Sequence, residues 1–182
     1  MWSHTVAILI GGESKRMGEP KHLVRLPSGM TMLETMLSFA EETAASTVIV
    51  GGEVKPYNCI LDKRAKCGPV AGIEALLDSD LDSEYLVVGC DMPELQAKHV
   101  ELLLTSTCSA AYSFEGRTLG LPIRITTDTL AMCTAYLDSG QTSIRGFFCG
   151  IPHTTVALPQ HFSQSITSIN SKEDVLKIYG AA

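Results

Sequence analysis

Short apolar runs that end at glycine alternate along this chain with segments in which apolar residues recur at helical spacing. The first run, residues 5–10, is rich in β-branched residues and stops at a glycine pair, which predicts a strand buried on both faces. Further strands are predicted over residues 47–50, 58–61, 85–88, 110–114, 122–125 and 154–158.

The helical segments lie between these strands. Between residues 31 and 42 the apolar positions are Leu33, Met36, Leu37 and Ala40. Thr31, with Glu34 three positions later, predicts a capping box at the start of this helix. Further helices are predicted over residues 70–77, 98–104, 129–137, 143–148 and 172–179.

The alternation of strands and helices predicts an α/β three-layer sandwich with a mainly parallel, Rossmann-like sheet. No repeat, charge block or low-complexity linker divides the chain, so we expect residues 1–182 to form a single domain. In such sheets ligands bind beyond the carboxyl ends of the strands, where loops lead into helices.

Composition narrows the class of protein. A hydrophobic fraction of 45% with 19% charged residues is typical of a folded globular chain, and the apolar runs are too short to span a bilayer. The net charge of -6 argues against a general nucleic-acid binder. The six cysteines form no CxxC pair and the five histidines show no metal-binding spacing. We therefore expect a cytoplasmic protein with no membrane or nucleic-acid partner.

Positive charge is concentrated in one loop, within the stretch ILIGGESKRMGEPK at residues 8–21. The stretch fits neither the Walker A pattern nor the dinucleotide fingerprint. Its glycine pair, Gly11 and Gly12, would let backbone N–H groups approach an anion, and Ser14 adds a hydroxyl. Lys15, Arg16 and Lys21 add charge that would offset a polyphosphate. The other interpretation is a solvated basic turn.

Asp91 follows the predicted strand at 85–88, and the basic loop follows the strand at 5–10. If both strands run parallel, Asp91 and the loop face the same cleft. Asp91 would then hold Mg²⁺, because this hard cation takes one or two carboxylates together with phosphate oxygens and water. On its own, Asp91 could instead be a helix N-cap or part of an Asx turn.

The basic stretch GGESKRMGEPK resembles the signature G-G-x-S-x-R-M-G-x-x-K of the NTP-transferase superfamily. Three later stretches make the chain similar to the molybdenum cofactor guanylyltransferases, also called molybdopterin-guanine dinucleotide synthases. GPVAGI at 68–73 is similar to the family's GPLAG turn, VGCDMP at 88–93 to its CDxP segment, and SINSKED at 168–174 to its NxNTPED segment. The resemblance runs from residue 6 to about residue 178.

The resemblance implies a nucleotidyltransferase that transfers GMP from GTP to molybdopterin cofactor and releases pyrophosphate. It implies that Arg16, Lys21 and Asp91 act in catalysis and that Asp91 is the Mg²⁺ ligand. The resemblance also implies that Leu9, Ile10 and Gly11 line the nucleotide, that Lys21 holds phosphate and that Asp62 contacts the nucleotide. The chemistry of the residues themselves adds Gly12, Ser14 and Gly68, and we expect Asp91 to meet the nucleotide through its metal. Other cofactor-biosynthesis proteins are a further expected class of partner.

Two residues are expected on the acceptor side. Arg145 lies in a segment that resembles the pterin side of the family, where it would meet the acceptor phosphate, and a solvated helix arginine is the alternative. Asn170 either contacts the acceptor or caps the helix predicted at 172–179. Asp62 has an alternative too, as a turn carboxylate paired with Lys63 or Arg64.

The chain also departs from the family pattern. Ile10 replaces an alanine, which is expected to thicken the wall beside the nucleotide, and the glycine pair at 51–52 replaces an asparagine. Leu121 stands where the family commonly has His-Pro. Two alternative functions therefore stay open. One is another nucleotidyltransferase, using CTP or a sugar phosphate, and the other is a non-catalytic nucleotide-binding regulatory protein.

Overall fold

The computed structural model describes residues 4–11 and 18–180. The strands are β1 (Thr5–Leu9), β2 (Ser46–Val50), β3 (Cys59–Ile60), β4 (Glu84–Gly89), β5 (Ala110–Phe114), β6 (Arg117–Thr126) and β7 (Thr154–Ala157). The helices are α1 (Met32–Thr43), α2 (Gly68–Leu77), α3 (Glu101–Leu104), α4 (Leu130–Asp138), α5 (Ile144–Cys149) and α6 (Lys172–Tyr179).

The strands form one seven-stranded sheet in the order β3-β2-β1-β4-β6-β5-β7. The pairs β3–β2, β2–β1, β1–β4 and β5–β7 are parallel, and β6 runs antiparallel to both of its neighbours. Strands β1, β2 and β4 therefore end at the same edge of the sheet. The mainly parallel α/β sheet predicted from the sequence is confirmed.

Two cores lie on opposite faces of the sheet, because successive side chains of a strand point to opposite faces. In β1, Val6 and Ile8 pack with α1 on one face, and Ala7 and Leu9 pack with α2 on the other. All five residues of β1 are buried, as predicted. The result is three layers, with α2, α4 and α5 on one side of the sheet.

Strand β6 is much longer than the four residues predicted. A tight turn at Glu115 and Gly116, both with positive φ, joins it to β5 as a hairpin. Gly120 lies inside the strand, where glycine ordinarily weakens a strand pattern, so the first half of β6 was not predicted.

The helix predicted over residues 98–104 is instead a 3-10 turn, Ala97–His99, followed by the short helix α3. The buried His99 explains the break. Its backbone carbonyl accepts a hydrogen bond from the Tyr112 hydroxyl at 2.8 Å, and its Nδ1 accepts one from the Gln96 backbone at 3.0 Å. These contacts hold the turn away from α-helical geometry.

The start of α1 confirms the predicted capping box. The Thr31 side chain accepts from the Glu34 backbone, and the Glu34 carboxylate accepts from the Thr31 backbone. At the other end of the chain, α6 packs Val175 and Tyr179 against a small cluster that includes Ile169. Among the helices of the described residues, none is both long enough and apolar enough to cross a membrane.

Candidate active site

A cavity of about 500 Å³ opens at the carboxyl ends of β1 and β2. Its lining residues are Leu9, Gly11, Val50, Gly51, Asp62, Lys66, Gly68, Pro69 and Gly72. Apolar side chains and glycines dominate this list, which makes a smooth slot suited to a flat ring. Leu9, Gly11, Asp62 and Gly68, which the sequence nominated for nucleotide binding, therefore lie together.

Gly72, on α2, sets the width of this slot. A Cβ added at Gly72 would lie 2.9 Å from Val50 Cγ1, 3.2 Å from Asp62 Oδ1 and 3.5 Å from Leu9 Cδ2. The helix can approach the strands this closely only because residue 72 has no side chain. The GPVAG segment is therefore the first part of α2, not the separate turn that the sequence predicted, and it brings its backbone against the cavity.

Asp62 stands at the mouth of the slot. Although the residue is exposed overall, the surrounding protein partly desolvates its carboxyl group and raises its pKa. Neither neighbouring cation pairs with it: Lys63 contacts Asp78, and Arg64 binds Glu74 and Asp138. The alternative of a turn carboxylate paired with Lys63 or Arg64 is therefore wrong.

Ile10 lies outside the lining of the slot. Its backbone N–H donates to the Val50 carbonyl at 2.9 Å, so it is engaged within the sheet. Its Cδ1 lies 2.9 Å from the position that a Gly52 Cβ would take, and the side chain packs against the α1 face. The expected thickening of the nucleotide wall does not occur, because the large residue packs over a glycine.

Three polar side chains from distant parts of the chain meet beside this cavity. Lys21 Nζ donates to Asp91 Oδ2 at 2.7 Å and to Asn170 Oδ1 at 2.6 Å. The side chains of Lys21 and Asp91 are only 22% and 17% exposed, so the ion pair is partly shielded from water. The prediction that the basic loop and Asp91 face the same cleft is confirmed for Lys21.

Backbone contacts hold Asn170 in this position. The amide of Ile169 donates to the Asp91 carbonyl at 2.8 Å, and the amide of Asn170 donates to the Asp174 carboxylate at 2.9 Å. The N-cap of α6 is Ser171, whose Oγ accepts from the Asp174 backbone at 3.2 Å. The capping alternative for Asn170 is therefore wrong, and its side chain contacts Lys21 instead.

Gly89, the last residue of β4, gives Asp91 room to fold back over the strand end. A Cβ at Gly89 would collide with Asp91 Oδ1. Asp91 caps no helix, since the nearest helical turn begins after Gln96. Between them, Cys90 is buried, and this burial, with the adjacent Asp91 charge, raises its thiol pKa to about 12, so the thiol stays protonated.

A larger cleft of about 960 Å³ lies on the other side of Pro69, which lines both spaces. Its apolar wall comes from the β5–β6 hairpin and includes Leu119 and Leu121. Its polar lining includes the hydroxyls of Thr142, Ser143, Ser163, Thr167 and Ser168 and the side chain of Arg145. Arg145 is exposed and lines this cleft, and its predicted contact with the acceptor phosphate stays a prediction.

Asn170 and Leu121 connect the polar cluster to the larger cleft. Asn170 Nδ2 donates to the Ser168 carbonyl at 3.1 Å, and Ser168 lines the cleft. Leu121 Cδ1 lies 3.5 Å from the position of a Gly89 Cβ, next to Asp91.

Gly12, Ser14 and Arg16 lie outside the described residues, so their predicted contacts stay predictions. Within residues 4–11 and 18–180, no three His, Cys, Asp or Glu side chains form a cluster that could hold a metal ion. The cleft does present two oxygens to one cation, since Asp91 Oδ2 and Asn170 Oδ1 both contact Lys21 Nζ. A hard cation that completes its shell with phosphate and water fits such a donor set.

Sequence comparison assigns the class of protein that this sheet and cleft define. Residues 6–154 match the MobA-like NTP transferase domain, and the chain belongs to that family. It is therefore a nucleotidyltransferase, which confirms the family predicted from the sequence.

Two similar proteins are named as molybdenum cofactor guanylyltransferases. The molybdenum cofactor guanylyltransferase of Xanthomonas euvesicatoria pv. vesicatoria (strain 85-10) is 30% identical over 141 residues, covering 76% of this chain and 74% of that protein. A probable molybdenum cofactor guanylyltransferase of Flavobacterium johnsoniae is 22% identical over 178 residues and covers 94% of both proteins.

Solved structures agree on the fold. The molybdopterin-guanine dinucleotide biosynthesis protein A of Archaeoglobus fulgidus superposes with a TM-score of 0.80 at 21% identity, over 95% of each chain. The 2-C-methyl-D-erythritol 4-phosphate cytidylyltransferase of Thermus thermophilus superposes with a TM-score of 0.67 at 16% identity, over 97% of each chain. At these identities the likeness concerns the fold alone.

Proposed function

We propose that this chain transfers GMP from GTP to the terminal phosphate of molybdopterin cofactor and releases pyrophosphate. The observation that carries the proposal is the Lys21–Asp91–Asn170 cluster, which stands beside a slot for a flat ring and beside a second, larger cleft. The names of the relatives support the choice of donor and acceptor.

The two cavities divide the substrates between them. The guanine ring occupies the slot lined by Leu9, Val50 and Gly72, and the acceptor occupies the cleft lined by Leu121 and Arg145. Pro69 lines both spaces, so the two substrates would lie side by side. Holding both reactants in this geometry accounts for a large part of the rate enhancement, because the two reacting groups no longer have to meet in solution.

The chemistry is an in-line displacement at the α-phosphorus. An oxygen of the acceptor phosphate forms the new P–O bond, and the bond to the β-phosphate breaks with its electron pair leaving on pyrophosphate. The acceptor phosphate is already ionised at neutral pH, so no strong general base is needed. Lys21 leaves its contact with Asp91 and neutralises the polyphosphate, and Arg16 is assigned to the same task.

Asp91 and Asn170 would hold Mg²⁺ through the oxygens that now contact Lys21. When bound, the ion supplies positive charge that offsets the phosphate oxygens in the transition state. The cleft of Asp91 also keeps this carboxylate largely shielded from water, which strengthens its hold on any cation.

A thermal-shift experiment tests the donor half of this proposal. GTP with Mg²⁺ at about one hundred times its dissociation constant should raise the melting temperature by on the order of 5–10 °C. ATP, CTP and UTP at the same concentration should raise it less. Equal stabilisation by all four, or the largest shift with CTP, would contradict the choice of GTP. An enzyme should release pyrophosphate when the acceptor is added, whereas a regulatory protein that only binds the nucleotide should release none.

A further inference from the structure

We propose that the ammonium group of Lys66 recognises the base of the bound nucleotide by donating hydrogen bonds to O6 and N7 of guanine. The inference rests on the proposed function, since it concerns how the donor nucleotide is selected. Nothing in the sequence pattern singled out Lys66. The structure places it in the lining of the nucleotide slot, between Asp62 and Gly68 in the chain.

The other cations of this loop are engaged elsewhere. Lys63 pairs with Asp78, and Arg64 pairs with Glu74 on α2 and Asp138 on α4. Within residues 4–11 and 18–180, the side chain of Lys66 forms no ion pair or hydrogen bond. Two cations therefore fasten the loop to the helices behind it, and the third remains at the slot.

The backbone at Lys66 is in the left-handed region, with φ of +59°. A residue with a Cβ costs on the order of 1 kcal/mol in this conformation, whereas glycine adopts it without strain. Gly68, two positions later, also has a positive φ of +66°. The two left-handed residues turn the chain sharply before α2, and both Lys66 and Gly68 line the slot at this turn.

The charges in the slot match the edge of guanine. Among its described lining residues, Asp62 and Lys66 are the charged ones. Guanine presents two neighbouring acceptors, O6 and N7, and Lys and Arg are the common donors to this pair. Its N1–H and 2-amino group are donors, which a carboxylate such as Asp62 accepts. Adenine and cytosine present an amino group where guanine has O6, so an ammonium group there disfavours both.

The test is calorimetric binding of GTP analogues with Mg²⁺ present. In 6-thio-GTP a sulfur, a weak acceptor, replaces O6, while ITP lacks only the 2-amino group. The native chain should bind 6-thio-GTP about tenfold more weakly than GTP. In Lys66→Met this penalty should fall below about twofold, and Lys66→Arg should restore it. The ratio of the dissociation constants of ITP and GTP should not change in these variants, because the 2-amino group lies towards Asp62.

Lys63→Met is the matched control, since it removes a cation from the same loop that pairs with Asp78 outside the slot. It should keep the native 6-thio-GTP penalty. Lys66 is exposed, so its variants should keep the native melting temperature without nucleotide.

Other outcomes would overturn the inference. If Lys66→Met binds GTP and 6-thio-GTP more weakly by the same factor, the ammonium group contacts phosphate and not the base. If neither affinity changes, Lys66 does not contact the nucleotide. A native chain that prefers CTP would contradict the proposed function itself. If the native chain prefers GTP but Lys66→Met still binds 6-thio-GTP about tenfold more weakly than GTP, only the role of Lys66 is contradicted.

Discussion

The backbone amide of Ile169 donates a hydrogen bond to the backbone carbonyl of Asp91 at 2.8 Å. This bond fastens the segment before α6 to the residue that follows the central strand β4. Asn170 is thereby carried to Lys21, so the two ends of the chain meet at one polar cluster. The segment that carries Asn170 and the strand end that carries Asp91 are therefore joined directly within the proposed site.

Asn170→Ala should lower kcat by on the order of tenfold, because it removes one of the two protein oxygens proposed to hold Mg²⁺. The fold should persist, since the Asn170 side chain is exposed and α6 is capped by Ser171. Steady-state kinetics and the melting temperature separate these effects. Asn58→Ala, at an exposed loop asparagine far along the chain, is the control and should retain native kinetics. A native kcat in Asn170→Ala would remove the Asn170 oxygen from the proposed metal site.

Asp91→Asn keeps the size of the side chain and one carbonyl oxygen but removes the negative charge that a hard cation favours. The variant should stay folded, keep measurable GTP binding and lose at least about 100-fold in nucleotidyl transfer. Raising Mg²⁺ should restore activity only in part. Full activity would remove Asp91 from the mechanism, whereas unfolding would assign it a structural role.

Gly72→Ala should weaken GTP binding by on the order of tenfold or more, because the new methyl group would press on Val50 and Asp62 inside the slot. Calorimetry with GTP and Mg²⁺ measures the effect. Gly150→Ala is the matched control, since the nearest atom to its Cβ, Phe147 O, would be 3.4 Å away. Unchanged GTP affinity in Gly72→Ala would place the nucleotide outside this slot.

Asp62 provides a test by pH. Desolvation raises its pKa in the folded chain, so folding favours the protonated form. The stability linked to this group is complete below its ordinary pKa of 3.8 and is lost as the pH rises through the folded-state value. Asp62→Asn should therefore raise the melting temperature of the nucleotide-free chain slightly at pH 7.

The gain in Asp62→Asn should disappear in acid, where the native carboxyl is itself protonated, and the same variant should bind GTP more weakly at pH 7. Melting curves at both pH values check the first point. A gain that is independent of pH would contradict the desolvation of this carboxylate.

The fold was largely predictable from the sequence because its central strands are buried on both faces and alternate with amphipathic helices. β1, β2 and β4 were found from their β-branched runs, and the capping box located α1 within one residue. The failures occurred where tertiary contacts override the pattern. Tyr112 takes the carbonyl of His99 and interrupts a helix, and the hairpin with β5 extends β6 through Gly120.

Site residues were predictable where they follow a buried strand, as Asp91 does, or where they belong to a recognised motif, as Lys21 does. The contact of Asn170 with Lys21 was beyond the sequence, because 149 positions separate them along the chain. Lys66 was missed for another reason. It belongs to no recognised motif and follows no predicted strand, and its place in the lining of the slot depends on how the loop folds.

The most direct test of the proposed reaction is to incubate the chain with Mg²⁺, molybdopterin cofactor and either GTP or CTP, and to measure dinucleotide and pyrophosphate together. The account predicts one pyrophosphate for each molybdopterin guanine dinucleotide formed, with GTP favoured over CTP by on the order of 100-fold. Product from CTP in preference to GTP, or bound GTP that yields no pyrophosphate, would contradict it.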